Sequence, residues 1–330
     1  MPTISDVAKL SGLSKTTVSR VINNHSYVSK EKKELVMKAM KELNYTPNPS
    51  ARRLRGNLTT TIGVIVPRIV NPFFSSLVNS IEQAAYKKGY QVLICQSNED
   101  KAKELAFLNL LKTKQVDGVI MTSIENDWDV IESYKEYGSI LLCNDYVNQA
   151  VVPMIRLDQT KGAYLGAKHL IERGHQKIAY CTGGLFDEQG KGKDRNQGFQ
   201  KALHEAGIKI NPKWIFIDQH TIEDGKQVIK QILEMDDRPT AIFTGSDEVA
   251  GGIMIGAKER GLIIPDDLAI IGFDDQPIAE ILDPKLTTIR QPVNQMGEKS
   301  VEVIIEMLDN PEIEIKNYEL PIELIVRQST

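Results

Sequence analysis

Two sets of residues have types and spacings that could do chemistry. The first is Lys15, Thr16, Ser19, Arg20 and Asn23, within TISDVAKLSGLSKTTVSRVIN at residues 3–23. Their spacing of i, i+1, i+4, i+5 and i+8 puts them on one face of a helix. Short polar and basic side chains arranged so suit base edges and phosphates in a DNA major groove, although a solvated face has the same composition. The second set falls at the ends of apolar, strand-like runs or at the start of a helix. It comprises Asn71, Phe73, Phe74, Asp145, Tyr146, Arg195, His220, Ser246, Asp247 and Asp274. Ligands of open α/β sheets bind beyond the carboxyl ends of the strands. Rings among carboxylates and one Arg suit a sugar or similar polyol, the rings covering its apolar face and the charged groups taking its hydroxyls. Each of these also has a structural alternative: Asp274 or Asp275 as a helix cap, Phe74 as core, His220 as a solvated side chain.

The elements that must hold the first set are short. Ser5 is expected to cap a helix over residues 6–11 that stops at Gly12, and Ser14 to cap a second one. Val7 and Ala8 can face Val18, Val21 and Ile22, giving a helix-turn-helix. A third helix fits Lys30–Leu43, with Ser29 as cap and Leu35, Val36, Ala39, Met40 and Leu43 inward. Then comes PNPSARRLRG, residues 47–56, where Asn48 as N-cap and Pro49 at the first position open a helix that Gly56 closes. Two turns are too few to be stable alone in water, so this segment should fold only when docked.

The elements behind the second set alternate. Strand-like runs at 62–66, 92–95, 118–121, 140–143 and 154–157 are interleaved with helical patterns at 73–88, 102–111 and 130–137. From residue 158 the alternation restarts, with helices at 161–173, 196–206, 225–235 and 249–260 between strands at 178–182, 215–218, 241–244 and 269–273. Apolar strands separated by helices of this length indicate parallel, doubly wound sheets buried on both faces.

Charge is split along the chain. Residues 1–57 carry a net charge of +7 and the remainder −11, which the overall −4 conceals. A basic head on an acidic body fits a phosphate-binding module joined to something that need not touch nucleic acid. A membrane-surface head is the competitor, weakened by a lack of exposed aromatic anchors on the basic segment. No apolar run reaches the length of a membrane span, and no charged start with an apolar signal core opens the chain, so a cytoplasmic location is expected. Cys95, Cys143 and Cys181 read as buried small hydrophobes. The five His lack metal-ligand spacing, and no cofactor is implied.

Enzyme readings fare poorly. GGLFDEQGKG resembles a phosphate loop, but five residues separate Gly184 from Gly190 and Gly192 stands where magnesium needs Ser or Thr. There is no G-x-S-x-G elbow, and adjacent Asp274 and Asp275 at a strand end would point apart.

Six motifs then occur in order: DVAKLSGLSKTTVSRVIN, NYTPNPSARRLRG, VNPFF, RNQGF, IGFDD and LTTIRQP. Through them the chain, over essentially its whole length, resembles the LacI/GalR (lactose and galactose repressor) family of bacterial transcription regulators. The resemblance implies an N-terminal all-α helix-turn-helix domain (1–46), a hinge helix (47–57) and a periplasmic-binding-protein-like core (58–330). That core would comprise two doubly wound subdomains, about 58–158 with 290–320 and about 159–289 with 321–330. The DNA-binding set becomes Ser5, Lys15, Thr16, Thr17, Ser19, Arg20, Asn23, Asn48, Ala51, Arg52, Leu54 and Arg55, with Leu54 wedged into the minor groove. Phe73, Tyr146, Arg195, His220 and Asp274 match effector-contacting positions of the family. The implied partners are double-stranded operator DNA, a sugar or sugar-phosphate effector and a second copy of the chain, since no apolar heptad tail follows LPIELIVRQST.

Two departures bear on the effector. Purine-binding members carry an Arg in the loop before RNQGF, where this chain has Gln189, leaving a phosphorylated sugar on Lys191 or Lys193 as an option. The branch that docks the phosphocarrier protein HPr has an aromatic and a basic residue where this chain has Asn294 and Glu302, which disfavours that corepressor. A sugar-binding protein with no DNA role is the reading from another class. It would keep its function without residues 1–57.

Overall fold

In the computed structural model, residues 2–22, 27–45, 58–147, 151–186, 192–310 and 314–330 are described. The head and the body separate at Thr60. Three helices make up the described head: α1 (Ile4–Ser11), α2 (Lys15–Ile22) and α3 (Lys30–Glu42). Val7, Ala8, Val18, Val21, Val36 and Ala39 close its core. Thr3, not Ser5, caps α1: its backbone N–H and its hydroxyl both donate to the Asp6 carboxylate at 2.8 Å. Thr3 and Asp6 have the capping-box spacing, and Ser5 lies one residue inside the helix. Gly12 ends α1 at φ +68°, the left-handed conformation that favours glycine. Ser14 Oγ accepts from Thr17 N at 3.1 Å and caps α2. Ser29 precedes α3 but makes no side-chain cap. Leu35 is 43% exposed rather than inward. The buried stripe Val36, Ala39, Met40, Leu43 already fills i, i+3, i+4 and i+7, which leaves Leu35 at its margin.

The body holds two six-stranded sheets. The first contains β1 (Thr61–Val66), β2 (Gln91–Gln96), β3 (Gly118–Met121), β4 (Ser139–Cys143) and β5 (Met154–Leu157). The second contains β6 (Ile178–Cys181), β7 (Ile215–Phe216), β8 (Ala241–Phe243), β9 (Ala269–Asp274) and β10 (Thr287–Arg290). The chain then returns through β11 (Asn317–Leu320) to the first sheet and ends with β12 (Glu323–Ile325) in the second. Strand orders are β11-β5-β4-β3-β1-β2 and β12-β10-β9-β8-β6-β7. Every pairing is parallel except β10 with β12. The chain thus changes sheet after β5, after β10 and after β11, so the two lobes share three crossings.

Helices cover both faces: α4 (Pro72–Lys87), α5 (Lys101–Lys112) and α6 (Trp128–Glu132) in the first lobe, then α7 (Gln159–Glu172), α8 (Lys193–Glu205), α9 (Ile222–Leu233), α10 (Asp247–Lys258) and α11 (Ile278–Ile281) in the second. Finally α12 (Val293–Asp309) returns to the first lobe. There Met296, Val301, Val303 and Ile304 join its core, and Ser80 Oγ of α4 donates to Asn294 O at 3.0 Å.

Three expectations are corrected. The helix expected at 130–137 is α6 followed by a 3₁₀ turn over Ser133–Glu136. The strand expected at 215–218 stops at Phe216, because Asp218 takes φ +60°. Not every strand is buried on both faces. β2 is an edge, with Leu93 and Ile94 41% and 49% exposed. The cysteines are buried, and burial pushes the Cys95 and Cys143 thiols up to about 11 and about 12, so both stay protonated at neutral pH.

The close packing of α7 on α8 depends on Gly198. A Cβ there would lie 2.1 Å from Thr160 O and 2.9 Å from Tyr164 N, both backbone atoms that cannot swing aside. Gly198→Ala should therefore destabilise the body by about 1–3 kcal/mol. Urea unfolding should show a lowered midpoint at unchanged slope. An unchanged midpoint would mean that the two helices separate at no cost.

Candidate nucleic-acid interface and ligand cleft

On the head, Lys15, Thr16 and Arg20 are exposed on α2, while Ser5, Thr17 and Ser19 are half-buried. Thr17 Oγ1 is engaged with Ser14 Oγ at 2.9 Å, so this hydroxyl serves the start of the helix. Asn23, Asn48, Ala51, Arg52, Leu54 and Arg55 lie outside the described residues. Tyr27 is 97% exposed, contrary to the expectation that the basic segment shows no aromatic. One ring does not make the apolar face that a membrane-surface helix needs.

In the body, a cleft of about 310 Å³ opens between the carboxyl ends of the two sheets. Asn71, Phe73, Asp145, Tyr146, Arg195, His220, Ser246 and Asp274 all line it; Asp247 does not. On the first lobe, Asn71 Oδ1 accepts from Phe73 N at 2.9 Å and caps α4. The Phe73 and Phe74 rings meet edge to face with centroids 5.1 Å apart, and both face the cleft. Asp145 Oδ2 accepts from Ile124 N at 3.2 Å. Nearby, Ser123 belongs to the cleft wall, and its Oγ is buried without a hydrogen-bond partner.

Across the cleft, Arg195 sits in the first turn of α8. Its guanidinium lies 3.7 Å over the Phe273 ring, Nε donates to Gln159 Oε1 at 2.8 Å and Nη1 donates to Gly245 O at 2.9 Å. Burial lowers its pKa, and the charge of Asp274 opposes that. Asp274, at the end of β9, is held at φ +104°, a conformation that non-glycine residues adopt at a cost. The cost turns its carboxylate toward Gln276 Nε2 (3.0 Å) and Gln291 Nε2. Burial raises the Asp274 carboxyl to about 6, against the pull of Arg195 and the two amides. Asp275 points the other way, to Arg290 Nε at 2.6 Å and Arg327 Nη2 at 2.7 Å, so the adjacent carboxylates do diverge.

Two contacts bridge the cleft or its crossings. Tyr146 Oη donates to Asp194 Oδ2 at 2.8 Å, joining the lobes at the mouth. Burial, then Asp194, pushes the Tyr146 phenol up to about 12, so it remains a donor. Gln159 Nε2 donates to Gln291 Oε1 at 3.0 Å. A continuous relay therefore runs Arg195–Gln159–Gln291–Asp274–Gln276. Of these glutamines only Gln291 falls inside a motif, LTTIRQP; spacing in sequence gives no sign of the others.

His220 has its ring against Gly183 and Nε2 at 3.1 Å from Asp218 Oδ1, at the cleft wall. Ser246 Oγ accepts from Val249 N at 3.3 Å and caps α10. Asp247 is the correction. Its fully buried carboxylate accepts from Thr288 Oγ1 at 2.5 Å and Gln276 N at 2.6 Å, and it ties α10 to β10 and the turn after β9. A Cβ on Gly272 would fall 2.1 Å from Asp247 Oδ1, so this glycine supplies the room. Burial pushes the Asp247 carboxyl well above the usual range. Lys193 lines the cleft, with its ammonium 5.9 Å from the Tyr146 ring centroid, whereas Gln189 and Lys191 lie outside the described residues.

With a helix-turn-helix head and a two-lobed body in place, comparison with known proteins is decisive. The family model described as "Periplasmic binding proteins and sugar binding domain of LacI family" matches residues 59–328, and "Bacterial regulatory proteins, lacI family" matches residues 3–48. The chain belongs to the LacI family. LacI-family proteins are DNA-binding transcription regulators, not enzymes. A regulator of the NTD biosynthesis operon, NtdR of Bacillus subtilis (strain 168), is 46% identical over 331 residues, covering all of both chains. The lac repressor dimer bound to operator and the anti-inducer ONPF is 30% identical, with a TM-score of 0.87, over 99% of this chain and 98% of that one. A LacI-family regulator from Lactobacillus casei with bound sucrose is 31% identical, with a TM-score of 0.76, over 82% of this chain and 99% of that one. Among the described residues no helix is long and apolar enough to cross a membrane, and no His, Cys, Asp and Glu cluster could hold a metal ion.

The raised Asp274 pKa sets a pH dependence. With a folded value of about 6, above the ordinary range of an aspartate, the folded LacI-family body holds this proton more tightly than the unfolded chain does. The group's favourable contribution is thus present below about pH 4 and lost as pH rises through about 6. Binding that uses the ionised carboxylate as acceptor runs the other way, about tenfold weaker at pH 5 than at pH 7. Calorimetric titration across that range should show the slope in the wild type and lose it in Asp274→Asn.

Proposed function

We propose that this LacI-family chain is a dimeric repressor whose operator affinity is set by a sugar or sugar derivative bound in the interlobe cleft. The observation that carries the effector reading is the cleft floor. Arg195, fixed over Phe273, faces the carboxylate of Asp274, with the Phe73 and Phe74 rings on the opposite lobe. Rings for C–H faces and charged, oriented groups for hydroxyls are what a pyranose or furanose needs. The solved relative with bound sucrose supports the same class. Asp274 and Arg195 are assigned as the principal ligand contacts, with Tyr146, Asp145, His220 and Phe73 around them. Asn71 and Ser246 serve first as helix caps and contribute what polarity remains.

The head reads DNA in this proposal, working in the cytoplasm where the chromosome lies. Lys15, Thr16 and Arg20 of two copies enter adjacent major grooves, with Ser19 and Asn23 supporting them. Ser5, Thr17, Asn48 and Ala51 complete the backbone contacts. Arg52 and Arg55 of the 47–57 segment add salt-dependent affinity, and Leu54 opens the central step from the minor groove. The operator-bound lac repressor dimer supports this arrangement.

Thermal denaturation with a panel of free pentoses, hexoses, disaccharides, phosphorylated sugars and purines tests the effector reading. A ligand at a hundred times its Kd should stabilise the full chain by about 2.7 kcal/mol, and Arg195→Ala should abolish the shift. A response confined to purines, or one that survives Arg195→Ala, would overturn it. For the head, Leu54→Ala should weaken operator binding far more than binding to random duplex. Equal losses on both duplexes would remove the wedge.

A further inference from the structure

Glu104, in the first turn of α5, is fully buried. An acid taken out of water needs donors, and three reach it from the loop that leaves β3. Oε1 accepts from Glu125 N at 2.8 Å, while Oε2 accepts from Asn126 N at 2.9 Å and from Asn126 Nδ2 at 2.6 Å. Asn126 Nδ2 also donates to Lys101 O at 2.9 Å, which ties the loop to the same turn of α5. The start of the loop is fixed as well. Thr122 N and Oγ1 both donate to Ile65 O, at 2.9 Å and 3.0 Å, and Asn144 Nδ2 donates to Thr122 O at 3.3 Å.

With rigid peptide planes, two residues between fixed anchors leave few dihedrals to turn. The amide between them is that of Ile124, and it donates to Asp145 Oδ2 at 3.2 Å in the cleft wall, beside Thr122 and Ser123. Three consecutive amides thus serve two acids: Ile124 the cleft carboxylate, Glu125 and Asn126 the buried one. We infer that Glu104 is a positioning residue for the cleft: by holding Glu125 and Asn126 it aims the Ile124 N–H, and through that bond it sets the direction of the Asp145 carboxylate. Its consequence for binding rests on the reading of Asp145 as an effector contact. The acid itself matters here, not only its volume. Leucine at 104 would accept from neither amide, and glutamine would keep one acceptor while turning N–H donors toward the other.

The full chain with Asp145→Asn, Glu104→Leu, Glu104→Gln and the double variants tests this through two readouts. In amide-detected NMR of the perdeuterated protein, Asp145→Asn should move the Ile124 proton upfield, because a bond to a charged acceptor becomes one to a neutral acceptor. In the Glu104→Leu background the same substitution should leave that resonance in place, and the Glu104→Gln background should fall between. An equal response in all three backgrounds overturns the inference, whatever the effector. In calorimetric titration with sucrose and D-glucose, Asp145→Asn should weaken binding about tenfold. Glu104→Leu should weaken it by up to the same factor, and the double variant by no more than Asp145→Asn alone. A brace that serves only stability would leave affinity intact or give losses that multiply, and either result overturns the positioning role. Probe binding that Asp145→Asn leaves unchanged removes the effector contact itself, and this role of Glu104 with it. Where neither probe binds, the Ile124 resonance decides alone; where Glu104→Leu does not fold, Glu104→Gln carries both readouts.

Discussion

The body is arranged around a charge problem: a guanidinium and a carboxylate taken out of water at the meeting of two lobes. Burial alone would neutralise both, lowering the Arg195 pKa and raising that of Asp274, and each charge counteracts the shift in the other. Neither is left to Coulomb attraction alone. Arg195 has a ring beneath it and two fixed acceptors, while Asp274 has two amide donors. A buried charge with its hydrogen bonds satisfied is tolerable, and one without is not. The two glutamines between them, Gln159 and Gln291, come from segments 132 residues apart, so holding this pair holds the lobe junction as well.

Other features follow from supporting that junction. The left-handed turn at Asp274 and Asp275 sends one carboxylate to the cleft and the other to Arg290 and Arg327, which binds the end of β9 to β10 and to the C-terminal segment. Asp247 secures the same turn from below, in space that only Gly272 leaves open. Backbone strain, a buried acid and a spaceless glycine within a few residues add up to a cost. Its return is the orientation of one cleft carboxylate, the usual place to find such strain in a binding protein.

Much of this was legible in the residues. Alternating apolar runs located β1 to β9 but not β10 to β12, and every residue expected beyond a strand end lines the cleft except Asp247. That exception has a simple cause. A strand end in an α/β fold is also a helix start, so the same position suits a ligand contact, a cap or a buried brace. Asn71 and Ser246 turn out to be caps that also face the cleft, and Asp247 only a brace. Ser5, the expected cap, lies one residue inside the helix, and the reciprocal Thr3–Asp6 pair decides the start. The Gln159–Gln291 contact joins residues 132 apart, and no local pattern of spacing encodes it.

Coupling between ligand and lobes then follows from where contacts cross. A ligand shifts a conformational equilibrium only by the difference in its interaction with the two states. A molecule held by one lobe alone would bind without changing the angle between them. Here Tyr146 meets Asp194 across the mouth, a polar contact between the protein's own lobes that favours closure. A ligand hydroxyl that displaces this bond replaces one hydrogen bond with another and gains little there. The differential energy must therefore come from the floor, where Asp274 and Arg195 of one lobe confront Phe73 and Ser123 of the other. One or two such contacts made only in the closed state supply about 1–3 kcal/mol, enough for roughly 5–150-fold control of a linked equilibrium.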